Sequence, residues 1–167
     1  VWAPAGYFEE YEKRQIPVDG KFALDVNELD IEDWLSIFNL DMISQISVLI
    51  QKIISYLKEN FVNYDLEDII NRIFLDKESG DEVKKSAIAL FEAAKSWKVF
   101  AKKDEPSTKI SELIVAGKTS VLDLSVYSSI ASFNVRALII GLISKKLFTQ
   151  RVLARKKEEI EEIQHGL

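Results

Sequence analysis

Cysteine is absent from the 167 residues, which excludes a disulfide framework and any zinc–thiolate centre. Histidine is nearly absent too. The single His165 lies in a polar tail, and no Ser or Cys nucleophile is paired with it, so a histidine-based catalytic triad is not expected. Long apolar runs are missing as well. Those near Ile43 to Ile54 and Leu138 to Ile143 are broken or bounded by Ser, Gln and Lys. Neither approaches the roughly 20 apolar residues of a membrane span. No signal peptide, internal repeat or low-complexity tract is visible. An excess of positive charge is also missing. The net charge of -5 argues against wholesale nucleic-acid binding and leaves room only for a local basic patch. A cytoplasmic location with no membrane partner is the expectation. The chain begins at Val1 without Met, which is compatible with excision from a longer protein.

What is present is the composition of a soluble globular protein, 47% hydrophobic and 29% charged. The length is enough for one domain with a sizeable core. The expected fold class is mainly α (α+β by count), a helical bundle plus a βα piece of a parallel sheet. Residues 1–40 read as a mixed N-terminal segment with short strands at Val1–Ala3 and Lys21–Leu24. Pro17-Val18-Asp19-Gly20 is a turn signal between them. Asp30 is set to cap a helix over Ile31–Phe38, with Glu32 and Asp33 favourable near its N-terminus.

Residues 41–107 read as the helical bundle. Ile43, Ile46, Ile50, Ile53, Ile54 and Leu57 form one stripe at three- and four-residue spacing. A second helix opens at Tyr64 or Asp65, with Leu66, Ile69, Ile70, Ile73 and Phe74 inward. A third starts at Asp81 and carries Val83, Ala87, Leu90, Phe91, Ala94, Trp97 and Phe100. Residues 108–167 read as a short helix over Thr108–Ala116 with Ile110, Leu113 and Ile114 inward, a strand over Ser120–Leu124, and a long helix from Ser132 or Asn134. Val135, Leu138, Ile139, Leu142, Ile143 and Leu147 are its expected core face. Trp34, Trp97 and the phenylalanines at helical spacing are expected in the core, whereas Trp2 and Tyr7 are left to face a missing neighbour. No partner for the strand follows it in sequence, so it is expected to complete a larger parallel sheet.

Gly117-Lys118-Thr119 tempts a phosphate-loop reading, but the position that needs the first Gly is Glu112. The triplet also follows a helix and opens a strand, the reverse of a phosphate loop. A helix C-cap on Gly117 is the preferred reading. Asp123 lies near a strand end, where α/β sheets place functional residues, so it is a weak candidate for holding water beside a magnesium–phosphate site. The alternative, preferred, is that its carboxylate caps a loop through Ser125 or Ser128. Lys145, Lys146, Arg151, Arg155, Lys156 and Lys157 lie along one helix. They suit phosphate contact, or supply of an arginine to a neighbouring subunit's nucleotide. Against that stands a solvated face paired at four-residue spacing, such as Arg155 with Glu159. The paired carboxylates, Glu9-Glu10, Asp30-Glu32-Asp33 and Glu158 to Glu162, read as solvated surface. No catalytic, cofactor-binding or metal-ligating residue is expected on the chain itself.

The order of a helical block, then SELIVAGKTSVLDLS, then FNVRALIIGLISKKLFTQRVLARKKEEIEE resembles the middle of a HerA-type ATPase, in the HerA/FtsK branch of RecA-like motors. The likeness is clearest over residues 108–157. It implies a RecA-like parent that is a hexameric, ATP-driven double-stranded DNA translocase or helicase using ATP and magnesium, with a nuclease partner in DNA-end resection. This chain is then its helical insert plus one βα unit, not ATP-hydrolysing by itself. Neither a Walker A loop nor a Walker B Asp-Glu pair occurs in these residues, so no nucleotide-binding residue carries over. A rival expectation is a self-contained helical interaction or adaptor module, whose strand pairs with Val1–Ala3 or Lys21–Leu24.

Overall fold

The structure is a computed structural model and describes residues 1–128 and 133–165. It is mainly helical, 61% by residue, with a small parallel sheet. The elements run β1 (Trp2–Pro4), α1 (Phe8–Lys13), β2 (Gly20–Phe22), α2 (Ile31–Ile37), α3 (Gln45–Asn60), α4 (Leu66–Leu75), α5 (Asp81–Ser96), α6 (Ile110–Leu113) and α7 (Phe133–His165). Short 3₁₀ turns occupy Ala5–Tyr7, Val26–Glu28 and Ser125–Tyr127.

Local chemistry sets the helix starts. Ser44 Oγ accepts from Ser47 N–H at 3.2 Å and opens α3. This start is four residues later than the sequence suggests, because Asp41 to Ser44 are held as a turn, with Ser44 N–H on the Asp41 carbonyl at 3.1 Å. Ile43 therefore falls outside the helix, 85% exposed, and does not belong to the inward stripe. Leu49 takes that role and is buried. Asp65 opens α4 by accepting from the backbone of Glu67 at 2.9 Å and Asp68 at 3.1 Å. Asp68 returns the bond to Asp65 N–H at 3.2 Å, completing a reciprocal cap.

α3, α4 and α5 pack against one another through Ile50, Ile53, Ile54, Ile69, Ile73, Ala87, Phe91 and Ala94. α2 closes the bundle with Trp34, whose ring lies 5.0 Å from Phe91 and 5.6 Å from Phe100. The first part of α7 lays Val135, Leu138, Ile139 and Leu142 on the same core. Besides Ile43, three further residues expected inward are not. Phe74 and Ile114 stand at 71% and 50% exposure, and Leu147 is also exposed. Phe74 and Ile114 lie at the C-terminal ends of α4 and α6, and Leu147 lies in mid-α7, past Ile143, the last residue of that helix packed on the core. Ser132, one expected start of α7, lies outside the described residues. So do the side chains of Glu161, Glu162 and His165.

The sheet differs most from expectation. β1 is central and runs parallel to β2, with Ala3 opposite Lys21. On its other side Trp2 makes a parallel bridge to Leu122. Trp2 N–H donates to the Val121 carbonyl at 2.7 Å, and Asp123 N–H donates to the Trp2 carbonyl at 2.9 Å. The strand expected over Ser120–Leu124 is thus a single bridge, and it does have a partner in the chain. The Trp2 ring lies across Gly20, where a Cβ would come within 2.7 Å of it, and is half-buried. Tyr7 stands edge-on to Tyr127 at 5.8 Å. α6 is also shorter than expected and ends at Leu113. Gly117, at φ +75°, serves a reverse turn in which Lys118 N–H reaches the Val115 carbonyl at 3.1 Å. It does not cap α6 directly, because the chain leaves the helix once Ile110, its buried anchor, has been passed.

Candidate nucleic-acid interface

The helix carrying the basic cluster is built in two parts. Its first part is amphipathic and anchored. Asn134 Nδ2 donates to the Ile37 carbonyl at 3.0 Å, tying α7 to the end of α2. Its second part extends past the bundle, and Arg151, Arg155 and Lys156 are exposed there.

The cations do not act as one patch. Residues three and four apart share a helix face, whereas those five or six apart do not. Lys145 and Lys146 turn toward the bundle. Lys145 Nζ donates to Asp30 Oδ2 at 2.7 Å and to Asp33 Oδ2 at 3.2 Å. Asp30 also receives Lys58 of α3 at 2.9 Å. Lys146 pairs with Glu28. The acids that open α2 therefore clamp α2, α3 and α7 together. Hydrogen bonds from Lys145 and then Lys58 hold the Asp30 carboxyl below the usual range, and Asp30 in turn raises Lys145. Both partners of the Asp30–Lys145 pair keep half their surface in water. The net worth of such an exposed pair is about 0–1 kcal/mol.

Arg151 and Arg155 lie on the other side, in line with Ser144 and Phe148 at three- and four-residue steps. Neither forms an ion pair among the described residues, and no pairing of Arg155 with Glu159 occurs. Two guanidinium groups one helical turn apart, about 6 Å along the axis, suit consecutive anionic groups. The sequence pattern located the six cations but could not divide them. What divides them is the set of acids at 28, 30 and 33, more than a hundred residues upstream. Their positions near a helix start explain them locally and conceal their second role.

Asp123 has a local role. Its Oδ1 accepts from Ser125 N–H at 2.8 Å, closing the 3₁₀ turn after the bridge. That bond, more than any other influence, holds its carboxyl below the usual range. Ser125 Oγ stands 3.5 Å from the Tyr11 hydroxyl, so the turn is tied to α1. The carboxylate is thus occupied in capping through Ser125. The residues near it do not fit a nucleotide. The turn at Gly117-Lys118 leads into extended backbone and not a helix N-terminus, and no other glycine turn adjoins Asp123.

Compared with protein-family models, curated proteins and solved structures, the chain matches none.

Proposed function

We propose that the chain is the helical insert and adjoining βα unit of a HerA-type, hexameric, ATP-driven double-stranded DNA translocase, and that Arg151 and Arg155 on distal α7 contact DNA phosphates. The observation that carries this reading is the parallel sheet. β2 and Leu122 flank β1 and both run parallel to it. Parallel neighbours require a crossover connection, usually one helix. Here the crossover from β2 to Leu122 contains the whole bundle, α2 to α6. A helical block threaded between parallel segments is the organisation that the resemblance implies. Lys145 and Lys146 take a positioning role in this reading, seating α7 on the bundle so that Arg151 and Arg155 project beyond it.

The test uses the parent protein encoded by the gene around this segment. A G-x-x-x-x-G-K-[ST] loop upstream and an apolar strand ending in Asp-Glu downstream are expected. In that hexamer, Arg151→Glu with Arg155→Glu should weaken duplex binding and reduce the salt slope, d log K/d log[salt], by about 1.8, two phosphate contacts at 0.9 each. An unchanged slope removes the assigned role. The rival module reading is favoured by one observation: Trp2 supplies the bridge that Leu122 needs from within the chain. Flanking sequence without either nucleotide motif would select it.

A further inference from the structure

A cleft of about 850 Å³ lies between the turn at Ala5–Gly6, β2, the start of α4 and the end of α5. Its volume is that of a small-molecule site, about 300–1,000 Å³. Ala23, Leu66, Phe100, Ala101 and Pro106 make its apolar wall.

Side chains of both charges line the rest, and pairing sorts them. Glu67 takes Lys95, Glu105 takes Lys102 at 3.6 Å, and Glu9 takes Lys13 at 3.6 Å. The Asp65 carboxylate accepts from the backbone N–H groups of Glu67, Asp68 and Lys103. Lys21 and Lys98 are left. Neither forms an ion pair among the described residues. Each is held against a ring instead. Lys21 Nζ lies 5.1 Å from the Phe8 ring centroid, and Lys98 Nζ lies 5.4 Å from that of Tyr7. A ring face orients an ammonium without neutralising it. Tyr7 and Phe8 are consecutive, so both cations lie at the α1 end of the cleft.

Lys98 is accommodated against the local preference. It follows the end of α5 at φ +55°, the left-handed position that helices usually give to glycine. Gly6 packs against it. A Cβ at Gly6 would come within 2.3 Å of Lys98 Cβ and 2.8 Å of the Lys98 carbonyl oxygen. The glycine thus stands where the lysine needs room, and not at 98 where the backbone would use it. Local strain kept beside a cleft is a pointer to chemistry.

We propose that the cleft binds a small organic carboxylate with an apolar body, the carboxylate held by Lys21 and Lys98 and the body lying along Leu66, Phe100 and Pro106. The lining favours a carboxylate over a phosphate. No arginine lines the cleft among the described residues. The N–H groups of Gly6, Ala23 and Ala101 are already engaged by Lys98, Thr108 and Leu24, so they form no cradle for phosphate oxygens. Inorganic phosphate would also leave the apolar wall uncovered. The proposal stands on the cleft and its two unneutralised cations, independently of the DNA reading.

The test titrates the full 167-residue chain with phenylpropionate and follows the backbone amides by NMR. The Gly6 and Ala101 amides should shift, with a Kd of about 1 mM. The neutral amide of the same acid should bind at least about tenfold more weakly, since it lacks the charge that the lysines meet. Lys21→Gln with Lys98→Gly should weaken phenylpropionate by a similar factor. Its Tm should be no lower than the parent's, because glycine suits the backbone at 98. No shift at about 10 mM phenylpropionate overturns the proposal. Equal affinity for the acid and its amide also overturns it, and that comparison needs no variant to fold. An unchanged Kd in the double variant removes the two lysines from the site. Inorganic phosphate shifting the same amides with an equal Kd overturns the assigned ligand class.

Discussion

Phe91 and Phe74 offer a controlled comparison. Both are phenylalanines on bundle helices, and both have the spacing of an inward residue. In the structure Phe91 is 0% exposed and Phe74 is 71% exposed. Phe91 stands between Trp34 and Phe38, with ring centroids at 5.0 and 5.2 Å in edge-on geometry. Truncation to Ala removes a fully buried side chain worth about 1.5–3 kcal/mol in transfer from water. It also removes two aromatic contacts of about 0.5–1.5 kcal/mol each and leaves a cavity that α2 and α5 can only partly close. The overall cost for Phe91→Ala should be about 3–5 kcal/mol. For a chain of this size that lowers Tm by about 6–20 °C. Phe74→Ala should stay within about 0.5 kcal/mol of the parent chain. Urea unfolding followed by circular dichroism at 222 nm and by tryptophan fluorescence measures both. Equal costs for the two variants, or less than about 1.5 kcal/mol for Phe91→Ala, would refute the packing described here.

Two further outcomes are expected. Tyr64 is buried, its hydroxyl has no hydrogen-bond partner among the described residues, and desolvation pushes its pKa up to about 12 from 10.0. A raised folded pKa gives stability that is complete below pH 10 and is lost as pH rises toward 12. Up to about 2–3 kcal/mol should disappear over that window. Tyr64→Phe should flatten the alkaline loss and cost little at neutral pH, because no bond is broken. A denaturation series across pH 9 to 12 reads both effects, and an unchanged alkaline slope in Tyr64→Phe would count against Tyr64. Gly141 sits inside α7, and a Cβ there would meet nothing within 4 Å. Gly141→Ala should therefore stabilise the chain by about 0.5–1 kcal/mol, since a glycine in a helix interior is entropically costly. A lower Tm in a thermal melt would mean that α7 needs close backbone approach at this point.

Much of the helical framework was legible in the chain. The stripes of α3, α4 and α5 are periodic over ten to sixteen residues, long enough to identify both element and buried face. The caps at Asp30 and Asp65 are local chemistry, made within three residues of the helix start, whereas the Ser44 cap was missed because the apolar stripe ran on through Ile43. Periodicity failed at the ends. It continued the stripes to Ile43, Phe74, Ile114 and Leu147 because it registers spacing and not where the facing element stops. Asp123 was legible for the same reason as the caps, since its partner is two residues away.

The sequence by itself determined the mainly helical class and which helical faces are apolar. It also determined where most helices begin and that the cations from Lys145 to Lys157 lie on one helix. These depend on neighbours within a turn or two, where side-chain spacing and capping geometry act directly. Tertiary structure alone decided that β1 sits between β2 and Leu122. It also decided that Lys145 and Lys146 are held by acids at 28, 30 and 33 while Arg151 and Arg155 project free of ion pairs among the described residues. A parallel bridge between Trp2 and Leu122 and an ion pair between Asp30 and Lys145 each close a loop of more than a hundred residues. No local pattern encodes such a closure. It is fixed only when the core between the two ends has packed.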